Sequence, residues 1–296
     1  RISLRRKLDI AENVFVTYGR YYQYLTLISA GMSSPFDLWF PLDGSLKPGI
    51  SDHYIIGYKN NLSAQFGFDV EAYYKDYQNL LEYNVATDFS WNNETGQLAD
   101  TFNAGKGYTY GVDTQLRTDW LGLEGFIGYT LSSTRRKMAE TNINPTTLVP
   151  QYYYPLYDKT HQLNLVETYK FTENLGREIL GGSLKIGVNY TYSTGQPTSV
   201  PEGVFFDGEQ FQILYSYKDR VRLPAYSRLD LSLKNEWTKS WGTIEPYIEV
   251  INVFNHKNIG SRNYYIIYDE NNNAVLKKSD SGQFPFVPFI GVNVKW

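Results

Sequence analysis

Between Ser63 and Tyr77 apolar and polar residues take turns, one for one. Phe66, Phe68, Val70, Ala72 and Tyr74 fall on one side of an extended chain, and Gln65, Gly67, Asp69, Glu71 and Lys75 on the other. A period of two is that of a strand. The charged side must meet water, because burying unpaired charge is costly. The apolar side is as long as a membrane-crossing strand, which needs roughly 9–11 residues.

The pattern recurs along the chain. In Thr109–Thr118, Tyr110, Val112, Thr114 and Leu116 oppose Gly111, Asp113, Gln115 and Arg117. In Ser183–Ser193, Leu184, Ile186, Val188, Tyr190 and Tyr192 oppose Lys185, Gly187, Asn189 and Thr191. In Ser227–Trp237, Leu229, Leu231, Leu233 and Trp237 oppose Arg228, Asp230, Ser232, Lys234 and Glu236. Fainter examples are Asn13–Tyr24, His53–Asn60, Leu123–Ser133, Gln162–Phe171 and Ile244–Asn255, with the end of one more strand at Arg1–Leu8. The chain closes on Ile290, Val292, Val294 and Trp296 along one side of a last strand, with Gly291, Asn293 and Lys295 on the other. That makes eleven strands. Glu167 is the exception, an acid on an apolar face, where it is tolerable only near a membrane boundary.

The connections alternate in length. Leu8–Asn13, Lys59–Ser63, Asp119–Leu123, Thr172–Gly182 and Thr238–Gly242 are short; Leu25–Asp52, Asp76–Gly107, Thr134–Lys159, Thr194–Tyr226 and His256–Pro285 are long. Short turns at one end and long loops at the other are expected of a transmembrane β-barrel of the bacterial outer membrane. The fold class expected is therefore all-β, an antiparallel transmembrane barrel. Eleven is an odd number, whereas single-chain bacterial barrels have even ones, and an open edge in lipid would strand backbone polar groups. Residues 1–296 are thus expected to be the C-terminal part of a larger barrel, half of a 22-strand one. The chain opens at Arg1 without a leader, so an export signal is expected upstream.

Composition excludes other classes. Cysteine is absent, and the three histidines, His53, His161 and His256, lie far apart, so no metal cluster and no cofactor is expected. A net charge of −3 is too balanced for a nucleic-acid partner. No run reaches the roughly 20 apolar residues of a membrane helix. Aromatic residues are 17% of the chain, 27 of them Tyr, which suits interfacial belts. A Tyr-rich, secreted carbohydrate-binding β-sandwich would share that composition. Ser51-Asp52-His53 is no nucleophilic relay, because neighbours in a strand point to opposite faces. No enzyme is expected.

Several segments, in order, resemble those of TonB-dependent receptors: Leu46-Lys-Pro48 before Asp52-His-Tyr-Ile-Ile-Gly-Tyr58, Ala72-Tyr-Tyr-Lys-Asp-Tyr77, Asp158-Lys-Thr-His-Gln-Leu-Asn-Leu165, Ser193-Thr-Gly-Gln-Pro197, Arg228-Leu-Asp230 and Val250-Ile-Asn-Val-Phe-Asn255. The wording around His161 is most like receptors of Bacteroidetes-type bacteria. The terminal Ile290, Val292, Val294 and Trp296 are similar to the C-terminal assembly signal of outer-membrane proteins. Gly49 and Ile56 stand where the family usually has Glu, which would remove two acids expected near the lumen. The resemblance implies an outer-membrane receptor for active uptake of a scarce solute: a siderophore, vitamin, oligosaccharide or peptide. It also implies partners: an N-terminal plug domain of the same protein, the TonB energy-coupling complex, the barrel assembly machinery and, as a further candidate, a capping surface lipoprotein. A passive porin is the rival reading. Outer-membrane lipid and lipopolysaccharide would surround either.

Candidate ligand contacts in the long loops are Trp39, Trp91, Arg135, Arg136, Tyr152, Tyr153, Tyr154 and Tyr157: aromatic platforms beside cations that attract an anionic ligand. The competing reading is an interfacial girdle for the tyrosines, and lipopolysaccharide phosphates or water for the cations of the Arg135-Arg-Lys137 run. Asp69, Glu71, Asp113, Arg117, Lys185, Arg228, Asp230, Lys234 and Glu236 are expected to face the lumen and the plug.

Overall fold

The computed structural model describes residues 1–28, 38–83, 102–215 and 217–296. Eleven strands form its wall: β1 (Ile2–Lys7), β2 (Glu12–Gln23), β3 (Gly49–Asn60), β4 (Phe66–Tyr83), β5 (Phe102–Trp120), β6 (Leu123–Met138), β7 (His161–Lys170), β8 (Ser183–Ser193), β9 (Tyr226–Lys239), β10 (Gly242–Ile251) and β11 (Val287–Lys295). They make one antiparallel sheet in chain order, each strand beside the next. Among the described residues no second wall sheet packs on it, so the sandwich reading falls. β1 and β11 each have a ladder partner on one side only.

The register places the two sets of side chains as the alternation requires. Tyr58 faces Val70, which faces Thr114; Lys59 faces Asp69, which faces Gln115. The outward face is apolar and open: Val16, Ile56, Leu131, Leu233, Ile248, Val292 and Val294 are all exposed. Few large apolar side chains are buried, so the wall has no core of its own. Hydrocarbon takes the place of the core. Ile56 lies on this outward face, opposite Val16 and Ala72. A Glu there would not have reached the lumen, which corrects one of the two lost acids.

Aromatic residues mark both rims of the apolar band. Toward the long loops, ring centroids lie 5.2 Å apart for Tyr18 and Tyr54, 6.4 Å for Tyr54 and Tyr74, 6.3 Å for Tyr74 and Tyr108, and 6.3 Å for Tyr108 and Tyr110. Toward the short turns Phe66 meets Trp120 at 6.1 Å and Tyr169 meets Phe171 at 4.7 Å. From Trp120 to Tyr110 is ten residues on β5, roughly 33 Å along a strand. A tilt of about 40° reduces that to roughly 25 Å, the height of the apolar band of an outer-membrane barrel. Glu167 stands two residues from Tyr169, at the short-turn rim, and accepts hydrogen bonds from Thr118 Oγ1 at 2.8 and 2.9 Å. Its place on the outward face is therefore at a boundary, not at mid-depth.

The short turns are built as tight reversals. Between β5 and β6, Leu121 and Gly122 both have positive φ, 49° and 80°, the twist a two-residue hairpin needs. The link from β7 to β8 holds a short helix, α1 (Phe171–Leu175), ended by Gly176 in the left-handed region. The long loops carry ribbons of their own: Leu25–Ile28 with Leu38–Pro41, Gly203–Phe206 with Phe211–Leu214, and Ile259–Tyr268 with Ala274–Gly282.

The segments that carried the family resemblance meet at the long-loop rim. Arg228 donates to both Asp230 oxygens at 2.6–2.9 Å, and Asp230 Oδ1 also accepts the Asn252 backbone N–H at 2.9 Å. The fully buried Asn252 side chain donates to the His256 and Phe284 carbonyls, each at 3.0 Å, and accepts the His256 N–H at 3.1 Å. One side chain thus ties both ends of the last long loop to the wall.

Two expectations follow. Nitroxides at Phe68→Cys and Asp69→Cys in the membrane-embedded protein should report opposite surroundings, oxygen-rich for the first and open to a water-soluble relaxant for the second; equal access to the aqueous relaxant would refute the two-faced wall. Asn252→Ala strands buried carbonyls, each worth about 1–3 kcal/mol. It should lower the midpoint of heat-modifiable gel migration and open residues 256–285 to protease, and an unchanged midpoint would count against the lock.

Candidate functional site

The inner face carries the charges. Lys59 Nζ sits 3.7 Å from Asp69 and 3.6 Å from Glu71, and Arg117 lies 3.6 Å from Asp69. Across the sheet Lys185 is 3.0 Å from Glu236 and 3.6 Å from Glu245. By register Asp113 pairs with Glu71 and Lys185 with Lys234, so the nine residues expected on the inner face share it. Ser51 Oγ and His53 Nε2, 2.6 Å apart, are also inside. Asp52 is outside, held by Arg20 and by Tyr18 Oη at 2.8 Å, so the three make no relay.

At the long-loop end β4 changes its alternation. Asn79, at φ 52°, is an extra residue in the ladder, and its Nδ2 donates to the Pro48 carbonyl at 3.1 Å. After this bulge Leu80 and Glu82 turn inward, opposite Gly105 and Asn103. Glu82 there accepts from Tyr153 Oη and from Lys218 Nζ. Lys218 belongs to a different long loop, and its backbone N–H donates to Asn142 Oδ1 at 3.1 Å. One carboxylate joins the rim of β4 to two loops.

The loop after β6 splits the predicted aromatic cluster. Tyr153 exchanges both backbone hydrogen bonds with Arg136, at 2.8 and 3.0 Å, and so extends the sheet by one bridge. The pleat then sorts its neighbours. Tyr153 goes inward and is buried; Tyr157 also lies beside the inward Arg136, the guanidinium 5.2 Å from its ring. Tyr152 and Tyr154 go outward. Tyr152 joins the girdle 5.4 Å from Tyr108, and Tyr154 lies 3.4 Å under Arg135, which donates to its hydroxyl at 2.6 Å. Arg222 covers the same ring at 4.8 Å and pairs with Asp158.

A cavity of about 570 Å³ opens on the inner face at this rim, lined by Trp39, Leu80, Glu82, Arg136, Tyr153 and Tyr157, with Lys218 and Asp219 beside them. Of the predicted ligand contacts it gathers Trp39, Arg136, Tyr153 and Tyr157; Arg135, Tyr152 and Tyr154 stand on the other side of the wall. Trp91 lies outside the described residues. Asn79, Glu82, Lys218 and Asp219 were not singled out in the sequence. The only available signal was the departure from alternation after Gln78.

Two groups at the cavity are left with polar atoms unmatched: Arg136 Nε and Asp219 Oδ2 are shielded and have no hydrogen-bond partner. Burial raises the Asp219 carboxyl above its usual range, against the hydroxyl of Ser199 and the charge of Lys218, which lower it. Burial, then the bond to Glu82, pushes the Tyr153 hydroxyl up as well. A neighbouring motif explains itself sterically: a Cβ at Gly195 would lie 1.7 Å from the Leu223 carbonyl oxygen, so only glycine lets these two loop ends touch.

A carboxyl whose folded pKa is raised contributes most below its unfolded value, 3.8, and loses that contribution as pH rises through the folded one. Asp219→Asn cannot ionise. It should therefore raise the thermal midpoint at pH 7 relative to the parent protein, and the gain should shrink as pH falls toward 4. A gain that is independent of pH would show that the burial of this carboxylate is not the cause.

The comparisons agree with this architecture. The profile of the TonB dependent receptor-like, beta-barrel family matches residues 8–255. A search of curated proteins gives no match. Among solved structures, the ferripyoverdine receptor of Pseudomonas aeruginosa bound to ferripyoverdine superposes with a TM-score of 0.57 at 17% identity, over 98% of this chain and 32% of that one. For the ferric-catecholate import receptor Fiu of E. coli K12 the values are 0.57, 14%, 98% and 34%. For the ferric yersiniabactin uptake receptor FyuA of Yersinia pestis they are 0.56, 13%, 99% and 37%. The chain spans about a third of the length of these relatives, and identities this low speak for the fold alone. The family match, the two aromatic rims and the eleven-strand wall make this chain a member of the TonB-dependent receptor β-barrel family, a wall of the bacterial outer membrane.

Proposed function

We propose that this wall belongs to a receptor for active uptake of a scarce solute, and that further strands of the same protein close it around a plug. The observation that carries the reading is the inner face. Asp69 Oδ1 and Asp113 Oδ1 are shielded there and accept no hydrogen bond, beside charges that are only loosely paired. A plug bearing donors would complete them, and a body held by many weak contacts can be displaced under pull. Twenty-two strands, twice the number here, is the size of a plugged outer-membrane transporter.

The solute would first meet the rim cavity, where Trp39 and Tyr157 offer ring faces and Arg136 a free donor. Ferric chelates are the first class to try, because the structural relatives are described by them. Cobalamin, oligosaccharides and peptides follow. TonB and the assembly machinery would act on the full-length protein, the first through the plug and the second through Ile290, Val292, Val294 and Trp296.

Uptake of labelled ferric chelates, cobalamin and oligosaccharides into cells with and without the receptor tests this. The solute that depends on the receptor should cease to enter when TonB is absent or the proton gradient is collapsed. Entry that persists under both conditions would identify a passive pore. Trp39→Ala with Tyr157→Ala should weaken binding of that solute by about fivefold or more, as loss of aromatic anchors does.

A further inference from the structure

The outward face just above the tyrosine girdle carries a pair of like charges that no carboxylate pairs directly. Lys106 on β5 and Lys137 on β6 are direct cross-strand partners, and both point outward. Like charges directly opposite each other destabilise a sheet. Neither lysine has a carboxylate within 4.0 Å among the described residues. Asp76, on the same face, accepts from Gln78 Nε2 at 3.2 Å and so is engaged away from the lysines. Arg135 adds a third positive charge on the same face, one row below Lys137, stacked on Tyr154.

Their depth is set by the strand. Lys106 stands four residues beyond Tyr110 on β5, roughly 13 Å along the strand. At a tilt of about 40° that is roughly 10 Å above the girdle. The girdle sits at the hydrocarbon boundary, so the lysines lie in the headgroup layer of the outer leaflet. The surface around them is concave. A groove of about 550 Å³ is lined by Lys106, Lys137, Gln78, Ala104 and Pro150, with Asp76 at its membrane side. Tyr152, whose ring lies 6.0 Å from Lys137 Nζ and 5.4 Å from the Tyr108 ring, forms an aromatic shelf on the membrane side of Lys137.

From this juxtaposition we infer that Lys106 and Lys137 clamp a phosphate of a phosphorylated glycolipid of the outer leaflet, lipopolysaccharide. The tyrosines would lie against its sugar and the start of its acyl chains. The lysines would otherwise repel one another across a hydrogen-bonded ladder. A dianionic headgroup between them replaces that repulsion with two charge-assisted contacts. Sugar rings stack readily on tyrosine faces, and acyl chains continue down the outward apolar band. The inference does not depend on what the receptor transports, since the groove and the rim cavity are on opposite faces of the wall.

The test is lipid binding to the full-length folded protein in detergent, followed by native mass spectrometry. The probes are phosphorylated lipid A, the same lipid freed of its phosphates, and inorganic phosphate. Phosphorylated lipid A should bind the unaltered protein about thirtyfold more tightly than the dephosphorylated lipid, given the roughly 1 kcal/mol each of the two lysines contributes. Lys106→Gln with Lys137→Gln should abolish that preference, and Lys106→Arg with Lys137→Arg should keep it, heat-modifiable migration confirming that each variant is folded. Equal binding of the two lipids to the unaltered protein would overturn the proposal without recourse to any variant. So would displacement of the lipid by millimolar inorganic phosphate, which would mark a site for free anions, or an unchanged preference in the glutamine variant.

Discussion

Every backbone N–H and C=O in the hydrocarbon layer needs a partner within the protein, and here the ladder between neighbouring strands supplies it. The rest follows from that ladder. Once strands pair edge to edge in lipid, side chains have only two directions to take, and the two solvents differ. The wall needs no core, which is why the buried hydrophobic residues are few and confined to places such as Phe15 and Met138. Register then decides which residues meet lipid and which meet water. A slip of one residue between β4 and β5 would turn Asp113 and Arg117 into lipid while Asp69 and Glu71 stayed inside. Each charge near the midplane would cost on the order of 2 kcal/mol, as much as deleting a large side chain from a soluble core.

That physics also explains which parts of the fold could be read from the residues. Where both solvents act, the alternation is forced, and Ser183–Ser193 has the same ends in sequence and structure. The strands that run past the membrane did not announce themselves. β4 continues to Tyr83 and β5 begins at Phe102 because their outer ends meet water on both faces, and nothing there imposes a period. The ribbons inside the long loops give no sequence signal for the same reason. The β4 bulge at Asn79 was hidden by a single extra residue that resets the count, and with it went Glu82, which then joins two loops through Tyr153 and Lys218.

The short motifs were legible as a resemblance but not as structure. In the fold they are the fastenings of the outer rim: Asn252 binding both ends of one loop, Arg222 on the Asp158 carboxylate and on the Gly195 carbonyl, Asn79 on Pro48. Long loops that leave a sheet edge carry backbone groups the ladder no longer satisfies. Buried asparagine and arginine satisfy several at once from one position, since each offers more than one donor in a fixed geometry. Motif residues of this kind hold the rim in place for a site, and need not touch a ligand themselves.

Arg135, Arg136 and Lys137 show how far the pleat governs what a residue can do. In the sequence they are one basic run at the start of a loop. On β6 they alternate. Arg135 and Lys137 point to the leaflet, where tyrosines and a facing lysine surround them; Arg136 points to the mouth of the lumen, against Tyr157 and a cavity. A single charged patch becomes two sites a wall's thickness apart, with different solvents and different partners. The same division separates Tyr153 from Tyr152 and Tyr154. In a one-layer wall, function is assigned by the parity of a residue's position as much as by its chemistry. A bulge such as the one at Asn79 is then the cheapest way for a chain to move a side chain from one role to the other.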